Sequence, residues 1–192
     1  MPTGDQDPRR VEGAKLLSDS PVILFHRMTG MVQTTTALRM DGYHVVPLEA
    51  STWHTAQDMH TGLARALDFP AHYGNNLDAF NDCLGEVAAH AYGFPADATG
   101  LVLAITSFDR FAERLPDLAH AMLDVFAARS RAAQADDEQL ICLIQSTAPD
   151  FSLPPVAGTP VLWNRAERPS STAGLFDVPP EPPRRPWWRR SR

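Results

Sequence analysis

Cysteine is scarce in this sequence, long apolar runs are missing, and no glycine-rich phosphate loop follows any predicted strand. Each shortage removes a class of answer. The two cysteines, Cys83 and Cys142, both fall inside apolar patterns. Buried thiols fit them better than a disulfide framework, and a reducing compartment is expected. No run approaches the roughly 20 apolar residues that a membrane helix needs. The stretch MPTGDQDPRRVEGAKLLSDS is polar and has no apolar signal core. A cytoplasmic protein with no membrane partner is therefore expected. Neither GxGxxG nor a P-loop motif is present, so dinucleotide and P-loop chemistry have no support. His54, His60 and His72 are scattered without HExxH or CxxC spacing, and neither metal nor cofactor is expected. Cys83 as a nucleophile competes with Cys83 as a packed thiol beside an apolar stripe, and packing is preferred. No catalytic residue is assigned, and the chain is not expected to be an enzyme.

What is present suits one α/β domain with extensions. The 192 residues are 44% apolar and 21% charged, the balance of a globular protein with a real core. Charge is unevenly placed. From Ser152 to Arg192 seven Arg face Glu167, Asp177 and Glu181, so that segment carries +4 and the body −10. An acidic body repels nucleic acid and steers a basic partner.

The pattern along the chain reads as strands alternating with helices. Val22-Ile23-Leu24-Phe25 is a short buried strand, followed by a helix over 31–40 with Val32 and Leu38 as apolar positions. YHVVPL over 43–48 is a second strand, and Pro47 within it argues for a sheet edge or a strand end. Thr55 with Asp58 approximates a capping box for a helix ending near Leu67. Met59, Leu63, Ala66 and Leu67 form its inner face. Further strands fall at 101–105 and 140–144, separated by a helix that starts at Pro116. This order predicts a small parallel sheet with helices packed on it. The expected layout is a flexible leader over 1–19, an α/β domain over 20–151, and a tail over 152–192. Within the domain, 20–42 is an added β-α element. Nine prolines in the last 41 residues, and the RRPWWRR end, make the tail a disordered segment by expectation. Arg with interleaved Trp also suits anionic lipid or nucleic acid, but a solvated tail is preferred.

AHYGNNLDAFNDCLGE, 71–86, holds the strongest functional signal. Asn76 is a good N-cap, and Leu77, Phe80, Leu84, Val87 and Ala88 form an apolar stripe. Asp78, Asp82 and Glu86 then recur every four residues on another face, where like charges repel. A solvated helix face is one reading, helped by Asp78 lying in the first turn. The other is a recognition surface for a cationic partner, because His72, Tyr73, Gly74, Asn75 and Asn76 add aromatic and polar reach beside the acids. Gly74 is expected to hold a turn conformation closed to other residues.

The run Tyr73-Gly74-x-Asn76-Leu77-Asp78-Ala79-x-x-Asp82-Cys83-Leu84 resembles the barstar family, intracellular inhibitors of barnase-type ribonucleases. The resemblance extends over about 43–145, from the strand before Trp53 to the closing LICLIQ. It implies a three-stranded parallel sheet with packed helices and a loop and helix that plug a ribonuclease active site. Asp78 and Asp82 would be the anchors standing in for substrate phosphates, with Tyr73, Gly74 and Asn76 shaping the loop. His72, Asn75, Asn81 and Glu86 complete the expected partner surface. His72 and Asn81 stand where the family's founding member has aromatic rings. Ala128 and Ala132, flanking Arg129 and Arg131, fall near further acids of that inhibitor. The expected partner is a basic ribonuclease or nuclease toxin, bound by a chain that is monomeric beforehand. The alternative is a barstar-like interaction or immunity module for a non-ribonuclease partner.

Overall fold

In a computed structural model that describes residues 20–148, 150–164 and 167, five strands form one parallel sheet. They are β1 (Val22–Phe25), β2 (His44–Glu49), β3 (Leu101–Thr106), β4 (Leu140–Gln145) and β5 (Leu162–Trp163). The spatial order is β2-β3-β4-β1-β5. Five helices accompany them: α1 (Met28–Met40), α2 (Ala56–Ala66), α3 (Leu77–Ala88), α4 (Phe108–Arg114) and α5 (Pro116–Gln134). The expected α/β architecture is the one observed, with β2, β3 and β4 as contiguous neighbours and β1 and β5 added beyond β4. β2 lies at the sheet edge, where Pro47 withholds no ladder donor that a second neighbour would need.

Strand alternation assigns each side chain to a face. Val22, Leu24, Val46, Leu101, Leu103, Ile105, Leu140, Cys142 and Ile144 belong to one core, with Met59 and Leu63 of α2, Phe80 and Leu84 of α3, and Met122 and Phe126 of α5. Ile23, Phe25, Val45, Val102, Ala104, Ile141 and Leu143 belong to the other, where α1 contributes Met31 and Leu38. Strands β1 to β4 are thus apolar on both faces, as a sheet covered on both sides requires. Burying a side chain of this kind contributes about 1.5–3 kcal/mol.

Caps fix where the helices start. Thr55 and Asp58 form a full capping box: the Thr55 hydroxyl accepts from the Asp58 amide, and the Asp58 carboxylate from the Thr55 amide. The Asp58 carboxyl is held below its ordinary value, chiefly by its hydrogen bonds with Thr55.

Four features differ from the sequence reading. Helix α1 begins three residues early, at Met28, and turns Met31 inward, leaving Val32 52% exposed. Val32, expected as an apolar position of this helix, thus lies on its outer side. A seven-residue helix, α4, precedes Pro116. His60, outside the expected inner face of α2, is buried there. The proline-rich segment also contributes to the body as far as β5: Val156 is fully buried, and the Asn164 amide donates to Leu24 O at 2.8 Å. Parallel pairing with β1 is what a short proline-free stretch, VLW, can offer at an open edge. The expected leader over 1–19 and the RRPWWRR end lie outside the described residues.

Beyond β5, the Glu167 carboxylate accepts from the His26 and Arg27 amides at 2.7 and 3.0 Å. These amides lie at the start of α1, where free N–H groups and the helix dipole favour an anion. No helix among the described residues is long and apolar enough to cross a membrane.

Candidate functional site

The loop before α3 is built from its own side chains. The Tyr73 amide donates to Pro70 O at 2.9 Å, closing a turn. The Asn76 side chain accepts from the Ala79 amide at 2.8 Å and so caps α3, as its position predicts. The left-handed residue is Asn75, at φ 49°, and not Gly74 as expected. Asn tolerates that region because its short amide bonds locally, here by donating to Tyr73 O at 3.4 Å. Gly74 answers a different need. A Cβ there would lie 3.1 Å from Asn76 Nδ2 and 3.4 Å from the Ala79 methyl, so a side chain would press on the cap.

Tyr73 faces inward. Its ring is buried and lies edge-on to Phe69 at 4.9 Å, and its hydroxyl meets His60 Nδ1 at 2.6 Å. Burial raises the Tyr73 hydroxyl well above its ordinary range and lowers the His60 imidazole, so the contact joins two neutral groups. His60 carries no sequence signal of this role, since the residue it meets is thirteen positions away. Of the nine residues expected at a partner surface, Tyr73 is the one that is buried.

The rest line one exposed strip. His72, Gly74, Asn75, Asn76, Asp78, Asp82 and Glu86 are exposed, and Asn81 is half-buried between them and α5. Asp78 sits in the first turn of α3. The Asp82 side chain is 79% exposed, with Arg129 Nη2 3.9 Å away and Asn81 Nδ2 at 3.4 Å. Glu86 is held within the molecule, accepting from the Tyr92 hydroxyl at 2.5 Å. Arg129 was noted in the sequence only as a neighbour of Ala128. Its Nε donates to Asn81 Oδ1 at 2.7 Å, which ties α5 to the acidic helix.

The arrangement has the chemistry of recognition. Exposed carboxylates stand on a rigid helix, the loop beside them is pinned by Asn76 and Tyr73, and Cys83 is buried. Among the described residues no group of His, Cys, Asp and Glu is placed to hold a metal ion. The Cys142 thiol lies fully buried in the sheet, and burial pushes its pKa far up, away from nucleophilic use.

Two solved structures illustrate what the whole chain is similar to. One is the ORC2 protein of Aeropyrum pernix (ADPNP-ADP complexes), 11% identical over 73% of this chain and 39% of that one, with a TM-score of 0.48. The other is the Walker-type ATPase PABY2304 of Pyrococcus abyssi, 10% identical over 76% of this chain and 45% of that one, with a TM-score of 0.41. The chain spans less than half the length of either, and a likeness this weak carries no functional argument. No curated protein matches the sequence. Residues 43–145, more than half of the chain and the part that contains β2 to β4 and the acidic helix, match the family described as Barstar (barnase inhibitor), and the chain belongs to that family, whose members are inhibitors and not enzymes.

Proposed function

We propose that the chain is a stoichiometric inhibitor of a basic ribonuclease, which it blocks by inserting α3 and the preceding loop into the active site. The carrying observation is the state of Asp78 and Asp82. Both are exposed on one face of α3, and the nearest cation to Asp82 stands at 3.9 Å. Carboxylates left this open suit a partner whose active site is lined with cations for phosphate. Asp78 and Asp82 act as phosphate mimics. His72, Asn75 and Asn76 touch the enzyme's rim, and Tyr73 acts from below by holding the loop. The body's charge of −10 speeds the encounter with a basic enzyme. Such an inhibitor acts in the cytoplasm, protecting the producing cell or serving as immunity to a nuclease toxin.

Inhibition assays with a barnase-type ribonuclease test this. Asp82→Ala weakens inhibition far more than Glu86→Ala does, and equal, negligible effects would sink the plug. The second reading, a barstar-like module for a non-ribonuclease partner, is favoured by Arg129 standing against the acidic face. A pulldown that recovers a basic nuclease supports the first reading. Recovery of an unrelated partner supports the second.

A further inference from the structure

The acidic face carries a cation of its own. Arg129 lies across α3 where Gly85 leaves room: a Cβ at Gly85 would stand 3.3 Å from Nη1 and 3.6 Å from Cζ of the guanidinium. One edge of the guanidinium is fixed, with Nε donating to Asn81 Oδ1 at 2.7 Å. The other edge points past Asn81 toward Asp82, with Nη2 3.9 Å from Oδ1. That distance is too long for a hydrogen bond, so Asp82 leaves the Nη2 donors unmet. The Arg129 side chain is 32% exposed, beside an Asp82 that is 79% exposed. A partner that covers Asp82 therefore covers Arg129 too.

Two consequences follow from charge alone. A partner that brings only cations to this surface sets one of them against Arg129, and the repulsion grows as solvent is excluded. A partner with a carboxylate beside its cation meets both groups, since the guanidinium fork is built to take an acceptor. The surface is thus patterned acid-acid-base along Asp78, Asp82 and Arg129. Patterned charge selects a partner partly by what it repels.

Resting on the inhibitor reading, we propose that Arg129 is a specificity-determining residue. It weakens the inhibitor's hold on a ribonuclease in proportion to the net positive charge that the enzyme's active site brings against it.

Barnase serves as the probe, being a basic ribonuclease of the class the family inhibits. Association and dissociation rates are measured for the full chain and for Arg129→Lys, Arg129→Ala and Arg129→Glu, over a range of salt concentrations. Thermal melts establish that each variant is folded. Removing the charge in Arg129→Ala tightens barnase binding several-fold, and reversing it in Arg129→Glu tightens it by about tenfold or more. The gain lies mainly in the association rate and shrinks with salt. Arg129→Lys keeps the charge and loses the fork, and it stays within about twofold of the parent. Folded Ala and Glu variants that bind barnase no tighter than the parent, or more weakly, overturn the proposal and leave Arg129 a brace for Asn81. If neither the parent nor any variant binds barnase at any salt concentration, the inhibitor reading falls and takes this inference with it.

Discussion

Asp82 on α3 is 79% exposed and 3.9 Å from its nearest cation, whereas Asp109 on α4 is 2% exposed and fully engaged. The Asp109 carboxylate accepts from the Thr147 hydroxyl at 2.7 Å and from the Thr147, Ala148 and Arg110 amides at 3.0, 3.2 and 3.0 Å. One aspartate folds the corner where β4 leaves the sheet. The other does almost nothing for the fold. A buried carboxylate persists only with its hydrogen bonds made, and an exposed one that makes few has its interaction energy still available for a partner. If Asp82 is the anchor proposed above, the two regions separate stability from binding, and substitutions can test that separation.

The largest effect is expected at the open aspartate. Asp82→Ala weakens inhibition of a barnase-type ribonuclease by at least about 30-fold, the hot-spot scale for which barnase–barstar is itself a reference case. Its melting temperature stays near that of the parent, because a surface pair this long contributes little. Loss of stability together with inhibition would show that Asp82 holds the fold after all.

Asp109→Ala inverts the pattern. It leaves the Thr147 hydroxyl and amide without their acceptor, while the Ala148 amide keeps Ser146 Oγ at 3.1 Å, and costs about 2–3 kcal/mol in denaturant unfolding, with inhibition by the folded fraction unchanged. Acid sharpens the test. Burial alone would raise the Asp109 carboxyl, but the hydrogen bonds from Thr147, Arg110 and Ala148 outweigh it and hold the group below its ordinary 3.8. A carboxyl lowered by folding adds stability that is complete above that value and drains away as the pH falls through the lower folded one. The parent should lose stability in that acid range more steeply than Asp109→Asn.

Between these extremes lies the loop's support. Tyr73→Phe removes the hydroxyl that meets His60 Nδ1 and leaves a buried imidazole nitrogen unpaired, at a cost of about 1–2 kcal/mol. Burial lowers the His60 imidazole from its ordinary 6.5, so folding favours the neutral ring. Its contribution is full above 6.5 and is lost as the pH falls below that. Unfolding free energy measured against pH should therefore decline from about 6.5 downward in the parent and flatten in His60→Gln.

These same residues mark how much the sequence disclosed. The acidic strip was legible because caps and periodicity are local: Asn76 and Thr55 announce their helices, and the four-residue spacing sets Asp78, Asp82 and Glu86 in line. The strand core was legible because both faces are buried and the runs are uniformly apolar. What stayed hidden depends on residues far apart in the chain. His60 finds Tyr73 across a loop, Arg129 finds Asn81 across two helices, and β5 is a strand only because β1 offers it an edge. Helix α4 starts from Ser107 in a left-handed conformation and has no side-chain cap, so no local signal marks it.

A second carboxylate probes the stability side more gently. Glu167 accepts from the His26 and Arg27 amides, and a Cβ on Gly30 would collide with its Oε1, so the lack of a side chain there leaves it room. Glu167→Gln keeps an acceptor and loses the charge at the helix start, and should cost about 0.5–1 kcal/mol in thermal or denaturant unfolding, with no change in inhibition.

The smallest effect is expected where the two behaviours meet. Glu86 is exposed like Asp82, yet the Tyr92 hydroxyl donates to it at 2.5 Å, and burial, then Cys83 and Glu86 itself, raise that hydroxyl's pKa so that it stays protonated as a donor. To reach a partner cation, Glu86 must give up this bond, which offsets most of what it would gain. Glu86→Ala therefore weakens ribonuclease inhibition by less than about threefold and stability by no more than about 0.5 kcal/mol. Removing its restraint should reveal the carboxylate: Tyr92→Phe followed by Glu86→Ala should give a larger drop in inhibition than Glu86→Ala alone. If the two drops are equal, position along α3, and not the internal hydrogen bond, decides which carboxylates are available for binding.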